Sequence, residues 1–102
     1  MATYVIFSNF RIGSTQLHDY VSTHIKQVNK SFASSAEVFN KYPEVVNVIT
    51  DYILGWFDEG QIINQVQLQE AFKVAVLDLG IELDNLDSFV PIVQTTQVAK
   101  GI

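Results

Sequence analysis

The sequence predicts a predominantly helical α+β domain, with about three to four amphipathic helices and short strands near the N- and C-termini. Three observations carry this. Apolar residues recur at helical spacing in three separate stretches, β-branched and aromatic residues cluster at residues 3–7, and a second such cluster lies at residues 89–98.

Thr3 to Phe7 reads as a strand, which Ser8, Asn9 and Gly13 break. Ser14 or Thr15 is placed to cap a first helix. From Leu17 its apolar positions are 17, 20, 21, 25, 28 and 32, within an arc of about 140° opposite Asp19, Thr23, Lys26 and Lys30. Three serines between Ser31 and Ser35 loosen that helix, and a short helical piece follows around residues 36–41. Pro43 suits the first turn of the next helix, where its missing amide costs nothing. Val45 to Phe57 is the strongest helical segment: eight apolar residues share an arc of about 180°, opposite Asn47, Thr50, Asp51 and Asp58. It should be the central core element, ended by Gly60. A fourth helix runs from Asn64 or Gln65 to Leu79, with Gly80 as its stop, although Ile62 to Gln69 also alternates like a strand. The tail from Phe89 to Val98 reads as a strand, on an edge or starting after Pro91, and the two terminal strands are placed to pair.

Composition bounds the function. The chain has 102 residues, 48 % of them apolar, with seven Phe, four Tyr and one Trp, which is enough for one core and makes residues 1–102 a single domain. No run approaches the roughly 18 apolar residues that a bilayer-spanning helix needs. The net charge is −5, and the six basic residues (Arg11, Lys26, Lys30, Lys41, Lys73, Lys100) are scattered. Nucleic-acid affinity requires clustered phosphate contacts, so no nucleic-acid partner is expected, and no membrane partner. There is no cysteine, which excludes disulfides and thiolate chemistry. The residues from Met1 to Phe7 lack the basic start of a secretory signal, so a cytoplasmic setting is expected.

Among ionisable groups His24 stands out. It falls inside the apolar arc of the first helix, between Tyr20 and Val28. Such a histidine is either a polar site at the core edge together with Tyr20, satisfied by a hydroxyl or carbonyl, or a general base. His18 is six residues away, a rotation of about 240°, so the two imidazoles cannot share a metal. The acidic stretch from Asp78 to Ser88 is interrupted by leucines and lacks the closing glutamate of a calcium loop. Asp58 and Glu59 read as solvated helix-end groups. No phosphate-binding glycine loop, nucleophile elbow or zinc-protease motif is present. No catalytic residue, metal site or cofactor is expected, and the chain does not read as an enzyme.

The informative feature is a surplus of apolar positions. On the fourth helix Val66, Val74 and Leu77 lie opposite the main apolar face, and on the central helix Leu54 sits among Asn47, Asp51 and Asp58. Terminal strands could cover these positions. A second chain would cover them equally well, with Trp56 and Phe57 as aromatic anchors after Gly55. The predicted interface is therefore Leu54, Trp56, Phe57, Val66, Val74 and Leu77. Ser, Thr, Asn and Gln make up 27 of 102 residues, a neutral polar surface that suits packed assemblies, phage or viral subunits included. The expected function is a non-catalytic protein–protein interaction or assembly protein, a homo-oligomeric subunit that associates with itself or with another protein. Two alternatives stand beside it: a small-ligand-binding or catalytic domain centred on His24 with Tyr20 and Tyr52, and an acidic inhibitor of a basic, nucleic-acid-binding partner.

Overall fold

Two left-handed residues in succession build the first motif. Ser8 (φ 52°) and Asn9 (φ 66°) form a two-residue turn between β1 (Tyr4–Phe7) and β2 (Phe10–Gly13), which pair antiparallel from Tyr4↔Gly13 to Phe7↔Phe10. Two positive φ values match the natural twist of a hairpin. The break expected after Phe7 is thus a hairpin, and the four-residue β2 is too short to stand out by pattern. The computed structural model describes residues 2–88, and the strand expected over 89–98 lies outside them. Among the described residues β1 also pairs in parallel with an internal strand, β3 (Ile62–Ile63), giving the sheet order β2-β1-β3.

Helix α1 (Ser14–Val28) starts one residue earlier than a Ser14 cap would allow: the Gly13 amide donates to the Gln16 side chain at 2.9 Å. It also stops before Phe32. The Asn29 carboxamide oxygen accepts from the Ser31 amide (3.1 Å) and hydroxyl (2.6 Å), offering the backbone an alternative to another helical turn. Phe32 still reaches the core and meets Tyr42 edge-on. Helix α2 (Ser35–Lys41) is capped by Ser34, whose hydroxyl accepts from the Glu37 amide.

Helix α3 (Pro43–Trp56) packs against α1, α2 and α4 (Gln65–Leu79). Val46, Ile49 and Ile53 are fully buried, and so is Thr50, which the sequence placed on the polar side. Leu54 is also buried, at 6 % exposure, where the Ala2 amide donates to its carbonyl at 3.2 Å. The exposed face of α3 is thus narrower than the wheel implies, with Glu44, Asn47 and Asp51 along it. Helix α4 begins with a reciprocal cap, in which the Asn64 side chain accepts from the Gln67 amide and the Gln67 side chain from the Asn64 amide, both at 2.8 Å. It ends at Gly80 (φ 66°), and the Ile81 amide returns to the Val76 carbonyl.

The link from α3 to β3 ties the sheet to the helices. Gly60 (φ 70°) donates to the Tyr4 carbonyl at 3.0 Å, and a Cβ there would meet the Tyr4 hydroxyl at 3.0 Å. Alanine in this left-handed conformation costs about 1–2 kcal/mol before any clash is counted. Gly60→Ala is therefore expected to lower the thermal midpoint by about 4–8 °C per kcal/mol lost, as read by circular dichroism.

Glu59 is exposed, as read from the sequence, but it is not without partners. Its carboxylate accepts from both the amide and the hydroxyl of Thr3, and these bonds, the backbone one first, lower its pKa below 4.5. A carboxylate favoured in the folded state contributes stability above its unfolded pKa and loses it as pH falls through the folded value. Glu59→Gln is expected to flatten the fall in thermal midpoint below about pH 4.5, because its amide does not titrate. Equal acid sensitivity in both proteins would contradict this role.

Candidate functional site

Two surfaces hold the residues singled out by the sequence. The first is a groove of about 660 Å³ between α1 and α4, closed at one end by residues 81–83. Val28, Phe72, Val76, Leu77 and Leu83 line it with His24. Three hydrogen bonds hold residues 82–88: Asn29 Nδ2 donates to the Leu83 carbonyl at 2.9 Å, the Tyr42 hydroxyl to Asp87 at 2.7 Å, and the Ser88 hydroxyl to Glu82 at 3.1 Å. The acidic stretch thus spends Asp87 and Glu82 on structural bonds, and Asp78 accepts from the Tyr52 hydroxyl.

His24 sits where its arc position implies, half-buried, with the Tyr20 ring at 4.4 Å and the Phe72 ring at 5.1 Å. Burial lowers its pKa and raises that of Tyr20, whose hydroxyl has no hydrogen-bond partner among the described residues. Both side chains are therefore neutral near pH 7. No carboxylate hydrogen-bonds to His24 among the described residues, and Tyr52 belongs to the other side of α4 through Asp78. His18 stacks instead on Phe39 at 5.0 Å. Among the described residues no group of acids and histidines is placed to hold a metal ion.

The second surface is the outer face of α4. Taking Val66 as 0°, Leu77 falls at about 20°, Glu70 at about 40° and Lys73 at about 340°, one stripe along the helix. Val66 is 67 % and Leu77 80 % exposed. Val74, at about 80°, is half-buried beside the stripe. Asp78 follows at about 120° and accepts from the Tyr52 hydroxyl, so that the end of α3 borders this face. Tyr52 in turn stacks on Trp56 at 6.1 Å, and Trp56 is 48 % exposed.

Two residues of the predicted interface are not on it. Leu54 and Phe57 are core side chains, 6 % and 5 % exposed, because the segment entering β1 and the turn after α3 cover that side of the central helix. Trp56, Val66 and Leu77 are exposed, and Val74 is half-buried. Sequence reasoning missed Ile62, 78 % exposed, and Phe10, 71 % exposed. Ile63 is buried, so the alternation at residues 62–63 already implied that Ile62 points outward.

No known protein family matches the chain, and no curated protein or solved structure is significantly similar to it. No helix among the described residues is long and apolar enough to cross a membrane.

Proposed function

We propose that this protein is a non-catalytic interaction domain that assembles with further copies of itself through the outer face of α4 and the neighbouring Trp56. One observation carries this: among the described residues Val66, Leu77 and Trp56 are 67 %, 80 % and 48 % exposed. Exposed apolar side chains suit a docking surface, and an aromatic anchor dominates the energetics of such contacts. The charge on the stripe supports a second copy rather than a basic partner. Glu70 and Lys73 cancel, so two such faces meet without net repulsion although the chain as a whole carries −5.

Native mass measurement tests the proposal. A multiple of 11.5 kDa is expected at micromolar concentration. A monomer at every concentration would contradict it, and a monomer that carries a bound small molecule would favour the groove at His24 instead.

A further inference from the structure

The exposed stripe of α4 has a symmetry of its own. Val66 and Leu77 lie eleven residues apart and Glu70 and Lys73 three, and both pairs are centred on the Ala71–Phe72 peptide. All four occupy an arc of about 60°, and all four are exposed. Ala71 and Phe72 themselves point inward and are buried. Reversing the direction of the helix about that centre exchanges apolar with apolar and acid with base.

Resting on the self-association proposed above, we propose that α4 packs antiparallel on the α4 of a second copy, about a two-fold axis that passes over the Ala71–Phe72 peptide. Val66 of each copy then meets Leu77 of the other, and Glu70 of each meets Lys73 of the other. A two-fold contact is isologous, so each complementary pair occurs twice. A parallel arrangement sets Glu70 against Glu70 and Lys73 against Lys73, which is repulsive at both positions. The antiparallel one also places each positive helix N-terminus beside a negative C-terminus. The stripe spans about 16 Å of the 15-residue helix, long enough for a helix–helix contact over its whole length.

The chain has no cysteine, so introduced thiols report without background. Val66→Cys chains mixed with Leu77→Cys chains are expected to form disulfide-linked dimers under mild oxidation. Either variant alone is not, because like positions are about 16 Å apart along the paired helices. Both substitutions fall at exposed positions, and unchanged circular dichroism confirms folding. In a second arm Lys73→Glu is expected to weaken association on the order of tenfold or more, and Glu70→Lys with Lys73→Glu to restore it, since the double swap rebuilds both ion pairs. Cross-linking by Val66→Cys alone, or its absence from the mixture while the parent chain assembles, would overturn the antiparallel pairing and leave self-association standing. A parent chain that is monomeric by mass would overturn both.

Discussion

Chains carrying Val66→Glu together with Leu77→Glu are expected to be monomeric and as helical as the parent. Burying a valine or leucine side chain stabilises a contact by roughly 1.5–3 kcal/mol, and each copy contributes both residues. The substitution removes that gain and adds desolvation of carboxylates that face one another in the antiparallel arrangement. Two of these four side chains at the smallest value, about 3 kcal/mol, already give a loss of association on the order of 100-fold. The fold has little to lose at these positions, because the two side chains are 67 % and 80 % exposed. Glutamate is also a better helix former than valine, and at the second helical position of α4 its charge complements the helix dipole. Sedimentation of both proteins with parallel circular dichroism checks this. Unfolding of the variant would place the two residues in the core, and an unchanged mass would place the interface elsewhere.

Ile53→Ala is expected to have the opposite signature: severe loss of stability that begins in the monomer. Ile53 is fully buried on α3, the helix that α1, α2 and α4 all contact. Removing its outer carbons leaves a cavity that close-packed neighbours fill only in part, at about 2–5 kcal/mol. Against a total of about 5–15 kcal/mol for a domain, that lowers the thermal midpoint by about 10 °C or more. A shift of only a degree or two on thermal denaturation would mean that α3 is not the centre of the core.

The helices were legible in the sequence because each carries a local signal: apolar periodicity, Pro43 in a first turn, Asn64 and Gly80 at the two ends of α4. Elements defined by partners far away in sequence were not. The pairing of β1 with Ile62–Ile63 rests on a two-residue strand whose pattern also fits the start of a helix. The Ser8–Asn9 turn contains no glycine, so the hairpin it closes had no composition to announce it. Leu54 and Phe57 illustrate the same limit at the candidate interface. A helical wheel ranks positions by direction, and the chain segment that covers a direction comes from elsewhere, here from Ala2 and the entry to β1. Val66 and Leu77 are exposed, in the direction opposite the buried face of α4. His24 was legible as a residue within an apolar arc, but the groove beside it depends on the segment around Leu83 being held by Asn29, which no periodicity encodes.

Trp56 is the only tryptophan, so its emission reports one point on the proposed surface without labelling. In the single chain its ring is half exposed beside Tyr52, and assembly through the α3–α4 side removes that ring from water. Diluting the protein while following both emission maximum and mass tests the central claim most directly. The account predicts a red shift on dilution that tracks a fall in mass to 11.5 kDa. An emission maximum that stays constant while the mass falls would contradict the use of this surface, and a constant monomer mass would contradict self-association itself.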